Sequence, residues 1–417
     1  MSDIRKLTQE DKEAFKRLTV YAYAGKGLGI DAYEKREKMF LKILQRGEED
    51  CFKGFFEDDG SLTGTVRVLT QPLNFRGNQL TALGIATLAA DLFHKKEKIA
   101  FKLIKDAVEH AVEKGAAMAV LDPFNIGFYR NMGFGLGAQV RQYRLKPSRF
   151  FNYSSKEGLV ELSPSDIGEI KELYDRYYET HHGMMKQSAG EIEDLLQGDH
   201  IMVGFRKKSQ LEGLLIFTFK RVGEDTVYGI DLMVDEMVTL TTAAFQAFST
   251  FLHSQADQVR EVLLETQDPH FSEYFDDPSS DDFSTFQTRH QEICRLGVGM
   301  MYRVINMEHV LGVLTEKGIP EAFPNLCIDV KDRLLPNQEG AYYLYKEGNQ
   351  LAFSRQSRVP EVTMTIDIAD FSALVMGSVK LGSLLFSGKV TLSNHKYLPV
   401  LAVLLDAGAV PVCLSRF

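Results

Sequence analysis

Apolar side chains follow two different periods along the first 150 residues. Residues 10 to 22 and the stretch EKMFLKILQRGE repeat them at helical spacing. A period of two then takes over. CFKGFFEDDGSLTGTVRVLTQPLNF reads as a hairpin: an apolar run, a turn at Asp58–Ser61, and an alternating run through Val66 and Val68. A further strand is predicted from Gln79 to about Ala90. EKIAFKLIKDAVEHAVEKG is the clearest helix. Ile99, Ala100, Leu103, Ile104, Ala107, Val108, Ala111 and Val112 draw one apolar stripe, and Gly115 is its stop. AAMAVL is short and continuously apolar, as a central strand should be. A very short helix in NIGFYRNMGFG and an alternating strand, AQVRQYRL, then close a compact α/β unit near Pro147.

LKPSRFFNYSSKEG reads as a linker. Beyond it, LVELSPSDIGEIKELYDRYYETHHG starts a second unit of the same element order, with Ser163 as a helix cap. Strands IMVGFRK, LEGLLIFTFKR and VYGIDLMVD follow, then the helix LTTAAFQAFSTFLHSQA and the strand REVLLET. The acidic stretch Glu273–Phe283 lacks calcium-loop spacing and reads as a solvated loop. From MMYRVINMEHVLGVL onward the pattern becomes an antiparallel run of short strands: NLCIDVKD, GAYYLYKEG, QLAFSR and VTMTIDI. Helices are predicted around Ala369–Met376 and Leu398–Asp406. LLDAGAVPVCLSRF reads as a strand running to the last residue, apolar through Val410, Val412 and Leu414. The fold class is α/β followed by α+β, in three parts: 1–148, 149–298 and 299–417.

Composition agrees with this division, since 417 residues are too many for one core. Hydrophobic residues at 44% and charged ones at 25% are those of a soluble globular protein. No apolar window is long enough to span a membrane, and the N-terminus is charged with no signal core, so a cytoplasmic location with no membrane partner is expected. The four cysteines form no CxxC pair and are expected as reduced thiols. A net charge of −9 argues against a nucleic-acid partner and fits a cationic small substrate. His181 and His182 are adjacent and cannot face one metal from a helix, so no metal is expected. GFGLG, Gly133 to Gly137, lacks the rest of a dinucleotide motif, and no Walker or GxSxG motif is present.

Two stretches carry candidate chemistry. In DLFHKKEKIA a helix N-terminus offers free amides to a pyrophosphate, with His94, Lys95, Lys96 and Lys98 beside it. In NIGFYRNMGFG, Tyr129 sits on a short helix between Gly127 and Gly133, a frame suited to presenting a phenol at a cleft.

ATLAADLFHKKEKIAFKLI resembles the acyl-CoA segment of the GNAT N-acetyltransferase superfamily: a strand, then Arg/Gln-x-x-Gly-x-Gly/Ala, then a helix. Lys95 falls on the first position of that motif and Ala100 on the last. The resemblance implies that acetyl-CoA is the co-substrate. Its pantetheine would pair with the backbone of Leu88, Ala89 and Ala90, and its pyrophosphate would lie from Lys95 to Ala100, past Lys96, Lys98 and Ile99. The family's middle glycine is Lys98 here. LDPFNIGFYRNMGF resembles the family's Asn…Tyr-x-x-x-Gly-Phe element. That implies Asn125 on the cofactor side and Tyr129 as the general acid that protonates the departing thiolate.

The whole layout resembles the enhanced intracellular survival family, in which two acetyltransferase domains precede a sterol-carrier-like domain. The likeness is strongest in IRKLTQED, FFEDDGSLTGTVRV, LDPFNIGFYRNMGF and the C-terminal end. It implies a homo-hexamer that acetylates a primary amine, such as an aminoglycoside, a polyamine or a lysine-like group. It also implies that the carboxylate of Phe417 is the base. An alkylammonium with a pKa of about 10 must lose a proton before attack, and a terminal carboxylate with a pKa near about 3.5 is ionised to accept it. The second unit has only EMVT at the corresponding loop, so no CoA is expected there. The third is expected to supply the tail and packing. The alternative is a non-catalytic or weakly CoA-binding protein on a degenerate acetyltransferase scaffold, and Lys98 is the residue that favours it.

Overall fold

The first sheet grows from the hairpin around the Asp58–Ser61 turn. The computed structural model describes residues 3–415 apart from 48, 224–228, 281–290, 317, 319 and 321. Strands β1 (Asp3–Lys6), β2 (Asp50–Phe56), β3 (Leu62–Phe75) and β4 (Asn78–Ala90) pair antiparallel in turn. Helices α1 (Lys12–Ala22) and α2 (Ile30–Leu44) connect the first two strands, and their apolar faces pack on β2 and β3. Phe15, Phe40 and Phe52 meet there with centroids 4.6 to 5.8 Å apart. Helix α3 (Ile99–Glu113) crosses over to β5 (Met118–Leu121), which lies parallel to β4. It packs so close to β3 that a Cβ on Gly64 would lie 2.4 Å from Ile99 Cγ2 and 2.9 Å from Leu103 Cδ1. The short helix α4 (Ile126–Arg130) and the two-residue β6 (Gly135–Leu136) complete the N-terminal stretch.

AQVRQYRL does not join this sheet. Its strand, Gln139–Leu145, pairs with Glu261–Thr266 and Arg295–Val298 in a second sheet. The place between β5 and β6 is taken by Met301–Val304. Burial explains the exchange. All four residues of Met301–Val304 are buried, as a strand covered on both faces must be, whereas Gln139–Leu145 buries only Tyr143 and Leu145.

Two compact units result, one of residues 3–137 with 300–411 and one of 138–299 with 412–415. The second unit is a seven-stranded sheet. One face packs on the helix Thr242–His253, through Ala244, Ala247, Phe248 and Leu252, and the other on Ile167–Thr180, through Ile170, Leu173 and Tyr174. The helix Ala189–Leu196, which the sequence pattern did not single out, adds Ile192 and Leu196 to the second core.

In the first unit the C-terminal part forms a five-stranded sheet. It is not fully antiparallel: Leu326–Lys331 and Val362–Asp367 run parallel at its centre. The hairpin Gly340–Glu347 and Gln350–Ser354 folds outward to one edge, so the chain returns on the far side in the original direction. The helix Ile368–Val375 joins this part to the first sheet, where its Ser372 hydroxyl accepts from Val304 N at 2.9 Å. Arg76, at the tip of the β3–β4 hairpin, donates to the carbonyls of Val375, Leu404 and Leu405 and so closes two helix C-termini. Burial lowers its guanidinium pKa to about 10, against the pull of Asp406.

The tail is not a strand over its described residues. The buried residues are Pro411, Cys413 and Ser415 rather than Val410, Val412 and Leu414. In the second unit Val412 N donates to His182 O, and the Gln267 amide brackets the Cys413 backbone at 2.8 and 2.9 Å. One backbone carbonyl and one side-chain amide stand here in place of a ladder. Among the described residues, no helix is long and apolar enough to cross a membrane. Replacing Gly64 by alanine should cost about 1–3 kcal/mol, because the new methyl meets packed side chains of α3. Urea denaturation of the variant against the natural protein measures it.

Candidate active site

Strands β4 and β5 pair only from Ala82 to Ile85 against Met118 to Leu121. Beyond that β4 continues to Ala90, still bonded to β3 on its other edge. Its path changes at a bulge: Thr65 faces Ala89 and Arg67 faces Ala86, so Thr87 and Leu88 share one position opposite Val66. Thr87 has φ 46°, in the left-handed region. Ala89 is buried, while Leu88 and Ala90 are half-buried on the parted stretch. Leu88 O accepts from the Tyr23 hydroxyl at 3.0 Å.

The loop after β4 begins at Asp91, whose N–H donates to Thr63 O and whose carboxylate accepts from Phe93 N. Lys95, Lys96 and Lys98 follow, all exposed. Lys96 and Lys98 have φ 70° and 63°. Lys98 is the N-cap of α3 and supplies no side-chain cap, which leaves the amides of Ile99 and Ala100 at a bare helix end. A left-handed conformation costs a non-glycine residue about 1–2 kcal/mol. Lysine therefore takes the backbone shape that glycine adopts easily, and the chain path is kept at an energetic cost. The second unit differs. There Thr241 caps the helix Thr242–His253, its hydroxyl accepting from Ala244 N at 3.3 Å.

His94 lies at the outer side of this loop with Nδ1 3.1 Å from Glu97 Oε2. That hydrogen bond is the main reason its pKa is raised, aided by the charges of Glu97, Glu57 and Asp91. Glu57, His94 and Glu97 are the one trio of metal-ligand-type side chains that comes this close among the described residues. In this structure their contacts are those of an exposed charge cluster.

Tyr129 stands where β5 turns away from β4. Asn125, exposed at the N-cap of α4, accepts from Phe128 N at 2.9 Å and so opens the helix. Tyr129 itself is only 3% exposed, a deeper position than the mouth of a cleft. Phe128, Phe124 and Phe134 meet its ring edge-on at 5.1, 5.3 and 6.1 Å. The ring at the surface is that of Phe124, 70% exposed. Burial pushes the Tyr129 pKa well above its ordinary value near 10, with Tyr23 and Asp122 acting in the same direction.

Tyr23 is a site residue that sequence reasoning missed. It follows the last turn of α1, its hydroxyl reaches the bulge, and the Arg36 guanidinium lies 4.8 Å from its ring centroid. Nothing in the helical period of residues 10 to 22 distinguishes it. Of the expected site residues, Leu88, Ala89, Ala90, the lysine loop and Tyr129 all border the parted strands or the start of α3. Phe417 lies outside the described residues.

Lys98→Gly should stabilise the protein by up to about 1.5 kcal/mol. Relief of about 1–2 kcal/mol is partly offset by the greater chain entropy of glycine, about 0.4–1 kcal/mol. A raised denaturation midpoint with an unchanged slope is the expected reading, and a lowered one would show that the lysine side chain stabilises the loop.

Residues 3–137 match the model of an acetyltransferase (GNAT) domain, and residues 176–304 match that of another acetyltransferase (GNAT) domain. Residues 313–414 match a sterol carrier protein domain. No curated protein matches the sequence. The fold is similar over its full length to a GCN5-related N-acetyltransferase from Anabaena variabilis ATCC 29413, with TM-score 0.78, 18% identity and 100% of both chains covered. Another such enzyme, from Kribbella flavida, gives TM-score 0.75 and 16% identity over 100% of this chain and 98% of that one. Eis1 from Mycobacterium abscessus gives TM-score 0.75 and 17% identity over 100% of both. At these identities the likeness is one of fold. With two acetyltransferase domains in tandem ahead of a sterol-carrier domain, the chain is a GNAT-family acyltransferase of Eis-like architecture.

Proposed function

We propose that this acyltransferase moves an acetyl group from acetyl-CoA to a primary amine by direct attack at its first domain. One observation carries the reading: a bulged stretch of β4 that has parted from β5 leads to a bare helix N-terminus, and a buried tyrosine follows the partner strand. In this reading pantetheine pairs with Leu88, Ala89 and Ala90. The pyrophosphate rests on the amides from Lys95 to Ala100, including Ile99, with Lys95, Lys96 and Lys98 contributing charge. Asn125 sets the entry of the helix that bears Tyr129. The acceptor is a cationic amine of the aminoglycoside, polyamine or lysine type, which suits the net charge of −9. The three functional parts are 1–148, 149–298 and 299–417, acting in a cytoplasmic homo-hexamer.

The alkylammonium first gives a proton to the Phe417 carboxylate, and its nitrogen then adds to the thioester carbonyl. The C–S bond breaks and the sulfur takes the phenolic proton of Tyr129; through water the proton left on nitrogen restores the phenol, and the one held by the Phe417 carboxyl group leaves to solvent. Burial makes the phenol a weaker acid, but the same desolvation makes the departing thiolate a stronger base, so the transfer stays matched. Support for a held terminus comes from the bonds to Val412, Cys413 and Leu414 and from buried Ser415.

Tyr129→Phe should lower kcat by about 10²–10⁴-fold with the circular dichroism unchanged, and deletion of Phe417 should lower it as well. The pH profile should show no fall from tyrosine ionisation below about pH 10, since burial raises that pKa. An alkaline limb near about pH 9 that vanishes in Tyr129→Phe would be the contrary result. Calorimetric titration with acetyl-CoA should show binding by the natural protein and by Lys98→Gly. Binding by the glycine variant alone would mean that the lysine closes the phosphate loop.

A further inference from the structure

A five-residue helix cannot hold itself in place, because its few internal hydrogen bonds do not offset the cost of nucleation. Helix α4 is held from outside. Arg303, on the strand Met301–Val304, is 0% exposed. Its Nη1 donates to Met132 O at 2.8 Å, and its Nη2 donates to both carboxylate oxygens of Asp332 at 2.8 and 2.7 Å. Asp332 is itself fixed, accepting from the backbone N–H groups of Leu334 and Leu335 at 3.0 Å. Between them Gly133, at φ +86°, leaves the room: a Cβ there would lie 1.4 Å from Arg303 Nη1. Met132 and Phe134, the neighbours of that glycine, both donate to Tyr129 O, at 2.9 and 3.1 Å. A second tie runs from Arg130 to Asp370 at 2.5 Å.

Stability alone gives a poor account of this arrangement. Taking a guanidinium and a carboxylate fully out of water costs several kcal/mol for each ion, and apolar side chains of the same volume often serve stability as well or better. Arg303 Nε, moreover, is buried with no hydrogen-bond partner among the described residues. What the pair does that apolar residues could not is fix one carbonyl, that of Met132, relative to Asp332 with directional bonds.

We propose that Arg303 and Asp332 are positioning residues for Tyr129, through which the sterol-carrier domain sets where the phenol stands. The inference rests on the reading of Tyr129 as the acid. A displacement of about 1 Å at a reacting group can cost about 10²-fold in rate, so a bracket at Met132, just beyond the end of the helix, is enough to matter.

The test is a cycle on the full-length protein with acetyl-CoA and an amine acceptor, using the double variant Arg303→Met/Asp332→Leu, which removes both charges together. It should fold, with kcat lowered about 10- to 100-fold and both KM values within about threefold. Adding Tyr129→Phe should cost less than about threefold more, because both changes act through one group. The chain has no tryptophan, so Phe128→Trp places a single indole on α4 that can be excited apart from the tyrosines, and its emission and quenching should change in the double-variant background. An undiminished kcat, losses that multiply, or an unchanged emission would each overturn the proposal. If Tyr129→Phe alone leaves kcat intact, the acid reading fails, and the emission by itself decides whether the pair places α4. If the double variant does not fold, the neutral polar pair Arg303→Gln/Asp332→Asn, which also leaves no buried charge unpaired, carries the same readings with the same deciding outcomes.

Discussion

The first domain is organised by a backbone constraint at its centre. Strands β4 and β5 part after Ile85 and Leu121, and every N–H and C=O on the facing edges beyond that point needs another partner. The neighbouring elements answer this need in different ways. The bulge at Thr87 and Leu88 turns part of the β4 edge, and Tyr23 reaches across from α1 to bond Leu88 O. On the other side the chain leaves β5 at once for α4, whose first turn Asn125 caps. An unpaired edge beside a helix N-terminus is what an extended ligand ending in a charged phosphate fits.

The two acetyltransferase domains answer the same fold differently at the corresponding helix. In the first, the helix begins at a left-handed lysine whose side chain offers no cap. In the second, Thr241 caps the helix and donates in turn to Glu212 at 3.0 Å. A helix end whose own side chain caps it offers one free amide fewer to a ligand. The divergence is thus visible in which N-cap is occupied, without reference to any ligand.

Much of the first domain was legible because its signals are local. The paired apolar positions from Ile99 to Val112 fix α3, and Asp58–Ser61 fixes the hairpin. The lysine loop and Tyr129 were reached as candidate site residues through the likeness of ATLAADLFHKKEKIAFKLI and LDPFNIGFYRNMGF to known motifs. Strand partnership was not legible, because a ladder joins residues whose separation leaves no trace in periodicity. Met301–Val304 and Gln139–Leu145 differ in how many faces they bury, yet both read simply as apolar-rich strands. The parallel centre of the third sheet was hidden for the same reason. Tyr23 and Arg303 were unreadable in a further sense: each acts through one polar tip aimed at a distant carbonyl, and an isolated tyrosine or arginine carries no pattern.

The return of Met301–Val304 between β5 and β6 has a consequence for biosynthesis. During translation β5 emerges with one edge open, and the strand that closes it is made about 180 residues later, after every strand of the second sheet. Until then a central apolar strand stands at a sheet edge, the situation that invites pairing with a foreign strand. Contacts of such long sequence separation form late and slowly. The order of maturation therefore runs against the order of synthesis: the second sheet has all its strands while the first still waits for Met301–Val304, so the domain expected to bear the chemistry, though made first, closes after the one made next.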